Sequence, residues 1–235
     1  MVRLDRWIAN TCGLSRKTVK ELVRGGLVTV NDLKVLDPGA GIDPQNDVLT
    51  VNGETYRQTP FAYLMLHKPL GVVSATNDRD QKTVLELVPP ALYRKGLFPA
   101  GRLDKDTTGF VLLTDDGAFA HRILSPKNHI RKTYVASLER PLGDEGLQTL
   151  QNGLTLRDGT RLLPAQVRCL SDDRKTVELQ ICEGKYHQIR RMLAAVGCPV
   201  TALMRTAMGA LPLDSTLSPG ACRPLTPDEV QKILE

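Results

Sequence analysis

With 235 residues, 41% of them hydrophobic and only 4% aromatic, the chain can build one large domain or a small and a medium one, with cores of Leu, Val, Ile and Ala. A disordered chain is excluded. The formal charge of +5 is too mild to name a partner, but residues 1–34 carry seven Lys/Arg against three Asp/Glu, and residues 121–140 carry five against one, Glu139.

Such clusters suit a phosphate backbone, where each neutralised phosphate releases counterions, or a merely solvated basic face. Cys12, Cys169, Cys182, Cys198 and Cys222 are scattered, with no Cys-x-x-Cys pair. That argues against a disulfide framework or a zinc site and fits small buried side chains in a reducing compartment. No leader segment opens the chain and no apolar run approaches the roughly 18 residues of a membrane span. A soluble, cytoplasmic protein is expected.

Residues 1–24 read as two short helices, with Leu4, Trp7 and Ile8, then Val19, Leu22 and Val23, at helical spacing. Ser15 is placed to cap the second helix and Gly25-Gly26 to end it. Alternating strands follow at 27–30 and 47–51, with turns at Asn31-Asp32 and Asn52-Gly53. The polar stretch 54–61 reads as a linker. Tyr63 to Leu66 then forms an apolar strand running into Lys68-Pro69, and Phe110 to Leu113, apolar throughout, suits a central strand. Asp115-Asp116-Gly117 can cap a helix carrying Phe119 and Ile123 and ended by Pro126. Thr133 to Leu138 and Val177 to Cys182 alternate like half-buried strands. His187 to Val196 is a helix whose apolar face is Ile189, Met192, Leu193 and Val196, with Gly197 as its stop. Strands and helices mix without regular alternation, which gives an α+β chain: a small basic unit over 1–55, a linker over 56–62 and a larger domain over 63–235.

Two segments carry unusual chemistry. Residues 99–109 are dense in charge, bracketed by glycines and feed into the strand at 110–113, where a rigid scaffold would hold functional groups. Residues 183–192 end a strand at Gly184 and open a helix with polar and basic groups; Arg190 lies beside its core face, within reach of a neighbouring loop. Between them Lys132-Thr133-Tyr134 begins a strand. On the residues alone, an ordinary charged loop, a solvated cationic turn and a core tyrosine remain open.

Taken in order, these segments resemble a known family. Gly101-Arg102-Leu103-Asp104, followed by Thr107, Gly109 and Phe110 to Gly117, is similar to the catalytic signature of pseudouridine synthases. Lys132-Thr133-Tyr134 and Gly184-Lys185-x-His187-Gln188-Ile189-Arg190-Arg191-Met192 resemble two further motifs of the branch that modifies ribosomal RNA. Arg3 to Ala9, Ser15-Arg16 and Gly26 to Asn31 resemble an S4 RNA-binding domain, with Asp32 where such domains commonly have Gly. Thr114 to Gly117 and His121 to Pro126 resemble the RsuA-type subgroup, which acts on 16S small-subunit RNA; large-subunit (23S) enzymes share the core signature.

The resemblance implies an S4-like domain of two helices and short strands, then a catalytic domain with a mixed, largely antiparallel sheet flanked by helices. It implies isomerisation of one uridine of ribosomal RNA with Asp104 as the catalytic carboxylate, Arg190 as its ion-pair partner and Tyr134 stacked on the target base. Arg102, Lys185, His187, Gln188 and Arg191 are expected to bind substrate, and Arg3, Arg6, Arg16, Lys17, Lys20 and Arg24 to contact RNA phosphates. Asp106 is expected to bond backbone amides of its turn. No cofactor, metal or membrane is implied, since the uracil stays in the pocket and no redox step or group donor is needed. A glycosidase needs two carboxylates; here one can suffice. Whether it attacks sugar or base, or takes a ribose proton, stays open. A monomer is expected.

Two other classes share some of these features. A non-catalytic ribosome-assembly factor would have the same basic surface, and Asp104, Tyr134 and Arg190 together favour the enzyme. A metal-dependent nuclease using Asp104, Asp106, Asp115 and Asp116 is disfavoured, because the intervening strand separates the two pairs by about 10–13 Å at roughly 3.3 Å per residue. No dinucleotide fingerprint or P-loop occurs.

Overall fold

The structure, a computed structural model, describes residues 2–43, 47–56 and 61–235. The chain divides into two units, Met1–Pro60 and Phe61–Glu235.

In the first unit the apolar spacing yields helices Leu4–Cys12 and Arg16–Arg24. Ser15 caps the second, its hydroxyl accepting from the Thr18 amide at 3.2 Å. Leu4, Ile8, Val19 and Val23 are fully buried against Val28 and Leu49. The latter two sit on a four-stranded antiparallel sheet ordered Leu33–Lys34, Val28–Val30, Leu49–Val51, Glu54–Tyr56. Asn31 and Asp32 take positive φ of 51° and 65°, the conformation a tight two-residue hairpin demands. Asp tolerates it almost as Asn does, so a hairpin persists without glycine at position 32. The expected linker over 54–61 is corrected at its start: Glu54–Tyr56 pairs with Leu49–Val51. Residues 57–60 of that expectation lie outside the described residues.

The second unit is α+β, built on a mixed sheet. Its main path runs Gln166–Cys169, Thr176–Ile181, Lys132–Leu138, Val200–Met208, Thr108–Thr114, Tyr63–Lys68, Cys222–Pro224. Among its described strands every pairing is antiparallel except that of Val200–Met208 with Thr108–Thr114. The strand Thr108–Thr114 is buried on both faces: Val111 and Leu113 join one core cluster, Phe110 and Leu112 the other. That is why its sequence is apolar throughout rather than alternating. The helix Gly117–Leu124 follows, its Asp116 cap accepting from the Phe119 amide at 2.9 Å. The helix at 187–196 runs Gln188–Ala195, with Gln188, Ile189, Met192 and Leu193 buried.

Among the elements that escape the apolar periodicity are the helices Asp144–Asn152 and Pro227–Lys232, the strands Phe98–Ala100, Gln166–Cys169 and Cys222–Pro224 and, most consequentially, the strand Val200–Met208. The alternation of that strand is interrupted, since Thr133 pairs with Ala207 but Tyr134 with Arg205, leaving Thr206 as an extra residue. A bulge of this kind bends a strand and re-aims its side chains. A buried arginine at position 205 hides the pattern further. The cysteines are free, but of the five only Cys198 is fully buried and the rest are half-buried. No helix among the described residues is long and apolar enough to cross a membrane.

Gly109 is where the parallel pairing closes. Its φ is +103°, and a Cβ there would lie 2.7 Å from the Arg205 amide nitrogen and closer still to the Arg205 carbonyl oxygen. Gly159, with φ +81° and open space around it, is the control. Gly109→Ala is expected to destabilise by about 2–4 kcal/mol, combining positive-φ strain with overpacking, and Gly159→Ala by only about 1 kcal/mol. Urea midpoints of the two variants measure the difference.

Candidate active site

The loop between the strands Phe98–Ala100 and Thr108–Thr114 carries Arg102, Leu103, Asp104, Lys105 and Thr107 into one cleft of about 600 Å³. Its other walls come from residues 73–75, Asp78 and Gln81, from Tyr134 and Leu203, and from residues 184–190. Such a volume lies within the range of small-ligand sites.

The cleft loop is irregular backbone whose polar groups need partners, and other segments supply them. The Ser74 hydroxyl donates to the Leu103 carbonyl at 2.9 Å and accepts from the Leu103 amide at 3.0 Å. The fully buried Lys68 donates to the carbonyls of Lys105 and Thr107 at 3.3 and 2.7 Å. Burial lowers the Lys68 pKa to about 8, with the charges of Asp106 and Asp104 opposing that shift. Arg205 donates to the carbonyls of Phe110 and Gly101, each at 2.7 Å. These anchors leave the Asp104 carboxylate standing at the rim, with 34% of its side chain exposed.

The group that faces Asp104 in this structure is not the expected Arg190. The nitrogen near Asp104 Oδ1 is His187 Nε2, at 3.5 Å. Arg190 instead places Nη2 3.0 Å from Asp106 Oδ2 and 3.0 Å from the Asp106 carbonyl oxygen. Asp106, expected to bond turn amides, thus bridges the loop to the helix Gln188–Ala195. Two buried polar atoms among the described residues lack a partner, Thr107 Oγ1 and Arg190 Nε. Both belong to residues that line the cleft.

The turn at 183–188 is braced from within. Gln188, only 4% exposed, donates from Nε2 to Glu183 Oε1 at 2.8 Å and accepts from the Lys185 amide at 2.9 Å. Its side-chain amide thus braces the turn, while the residue also contributes to the cleft lining. His187 is held at φ 47°, a conformation costly for a side-chain-bearing residue, and Tyr186 stacks on it with ring centroids 3.9 Å apart. Lys185 lines the cleft but pairs with Glu183 at 3.2 Å and also bonds the Arg161 carbonyl. Arg191 is not among the lining residues; it pairs with Asp158. Arg102 is exposed at the rim.

Tyr134 is 9% exposed and contributes to the cleft lining. Its hydroxyl lies 3.4 Å from Arg205 Nη1, and the Arg205 guanidinium carbon lies 5.9 Å from its ring centroid. Sequence reasoning missed Arg205 and Ser74; neither stands in a segment whose pattern marks it out.

Asp115 and Asp116 take no part in the cleft. Asp115 accepts from the Ala62 amide and pairs with Arg94, and Asp116 accepts from the Tyr63 hydroxyl at 2.7 Å. No group of three or more His, Cys, Asp or Glu among the described residues could hold a metal ion. In the first unit Arg6, Arg16, Lys17, Lys20 and Arg24 are exposed, while Arg3, also exposed, forks onto Asp5 at 2.8 and 3.1 Å.

Comparison with known proteins accounts for both units. The RNA pseudouridylate synthase family model matches residues 62–195, and the S4 domain model matches residues 2–48. An RNA pseudouridine synthase of Bacillus subtilis is 43% identical over 100% of this chain and 99% of its own. The ribosomal small subunit pseudouridine synthase A of Escherichia coli is 40% identical over 99% of this chain and 100% of its own. A crystal structure of a pseudouridylate synthase superposes with a TM-score of 0.69 at 38% identity, covering 99% of this chain and 100% of that one. An S4 unit ahead of a mixed sheet that opens one polar cleft is thus the build of a known enzyme class, and the chain belongs to the RNA pseudouridine synthase family.

Proposed function

We propose that this enzyme converts one uridine of small-subunit (16S) ribosomal RNA to pseudouridine, with Asp104 as the catalytic carboxylate. The observation that carries the reading is that Asp104 shares one nucleotide-sized cleft with the ring of Tyr134. The full-length likeness to ribosomal small subunit pseudouridine synthase A supports the substrate.

The reaction breaks the bond from ribose C1′ to uracil N1, turns the base and joins C1′ to C5; C5 then loses a proton and N1 gains one. The departing uracil is itself an anion and stays enclosed, so one carboxylate at the sugar suffices. The target nucleotide must leave its stack, at a cost of a few kcal/mol. Tyr134 offers a flat face to the extruded pyrimidine, and base–aromatic stacking contributes roughly 1–3 kcal/mol. Arg102 stands at the rim, where it can hold phosphate or fill the vacated space.

In the cleft Asp104 is partly exposed and faced by His187. A nucleotide that covers the carboxylate excludes solvent from it and leaves the cations of the cleft, Arg190 foremost, to balance its charge. In this reading Arg190 acts beyond its bond to Asp106, whose own side chain is largely exposed.

Three measurements test this reading. Asp104→Asn should reduce conversion of uridine on immature small-subunit RNA to background with the fold intact; normal tritium release from labelled uridine would overturn it. Arg190→Ala should cripple turnover while Asp106→Asn, which keeps the carbonyl bond to Arg190, leaves it close to wild type; equal losses would reduce Arg190 to a brace. Replacing Arg16, Lys20 and Arg24 by Gln should weaken RNA binding and lower the slope of log K against log salt by about 0.7–0.9 for each phosphate no longer neutralised. An unchanged slope would remove the first unit from the RNA interface.

A further inference from the structure

Arg205 is a buried cation, 2% exposed, and no carboxylate bonds it among the described residues. Burying an unpaired charge is costly, and an apolar side chain of similar volume would fill the same space at less expense. What the guanidinium gains is geometric. The bulge at Thr206 brings Arg205 opposite Tyr134 on one side, and the parallel pairing sets it beside Gly109 on the other. From there Nη2 reaches the Gly101 carbonyl, where the loop carrying Asp104 begins, and Nε the Phe110 carbonyl, within the strand Thr108–Thr114 into which that loop runs. Nη1 is left for the Tyr134 hydroxyl. A planar fork can serve three divergent acceptors at once; a lysine ammonium, a compact charge on a flexible stem, cannot span them.

We propose that Arg205 is a positioning residue for the isomerisation: it staples the start of the 101–107 loop to the strand that follows it and to the Tyr134 hydroxyl, fixing the carboxylate relative to the ring that receives the base. The inference rests on the reading of Asp104 and Tyr134 given above. Arg205 is buried and is not among the residues that line the cleft, so its loss acts on the chemical step and not on RNA affinity. Displacing a reacting group by about 1 Å costs on the order of 100-fold in rate.

The test is single-turnover kinetics of Arg205→Met and Arg205→Lys across RNA concentrations, with amide hydrogen exchange. Arg205→Met should lower the rate at saturating RNA by about 100-fold and Arg205→Lys by a smaller factor. The RNA concentration giving half the maximal rate should stay that of wild type. Exchange should quicken at 103–107 while the strands Lys132–Leu138 and Thr176–Ile181 keep their protection. Should Arg205→Met fail to fold, Arg205→Lys decides. Wild-type rates for the folded fraction, or a loss confined to the half-saturating concentration, would overturn the proposal. Asp104→Asn, assayed alongside, separates the failures. If it turns over normally, the reading of the cleft falls and takes this inference with it; if it is inert while Arg205→Lys runs at the wild-type rate, only the positioning role falls.

Discussion

The cleft depends on side-chain capture of backbone carbonyls along one loop. Between Gly101 and Phe110 the carbonyls of residues 101, 103, 105, 106, 107 and 110 accept from Arg205, Ser74, Lys68 and Arg190, which come from four separate segments. A loop held by its own turns would satisfy these groups locally and move as a unit. Held by the neutral Ser74 hydroxyl and by three cations, whose bonds contribute roughly 1.5–3 kcal/mol each where they are buried, it is tied to the strands Tyr63–Lys68 and Val200–Met208 and to the helix Gln188–Ala195. The buried ammonium of Lys68 also places positive charge behind two carboxylates, which is visible in the effect of Asp106 and Asp104 on its pKa.

The sheet makes that capture possible. Antiparallel pairing gives the strand Thr108–Thr114 the neighbours Phe98–Ala100 and Tyr63–Lys68, both earlier in the chain. The parallel pairing with Val200–Met208 instead inserts a strand from about 95 residues further on, and the Phe110 carbonyl meets a guanidinium at a sequence separation of 95. Gly109 permits the close approach and the bulge at Thr206 aims the side chain. Both faces of the central strand are covered by separate clusters, so the loop emerges from a strand packed on both sides. Catalytic loops gain accuracy from such scaffolds.

Charge around the cleft has two kinds of work. Lys68 and Arg205 are buried and hold backbone. Arg102 and Lys105, exposed at the rim, offer charge to a polyanion. Arg190 belongs to both groups, bonded to Asp106 yet with a buried Nε left without a partner. Arg191, next to it, serves neither: it pairs with Asp158. Neighbouring arginines on one helix face different surroundings because adjacent positions are about 100° apart around the axis.

Much of the molecule is legible in the residues alone. Helical spacing locates Leu4, Ile8, Val19 and Val23 in one core and Ile189, Met192 and Leu193 in another, because period and burial are local consequences of backbone geometry. The ordered signatures bring out Asp104, Tyr134 and Arg190, which the fold gathers into one cleft. Partnership is not legible in this way. Arg190, expected beside Asp104, pairs with Asp106; Gln188, expected to meet substrate, braces its own turn. Arg205 reads as surface in a sequence and is among the most buried side chains in the fold. Residue type and spacing determine which chemistry a segment can carry. Which groups meet is decided by strand order and register, here a parallel pairing and a bulge between strands about 70 to 95 residues apart, and these emerge only when the whole chain buries its apolar faces.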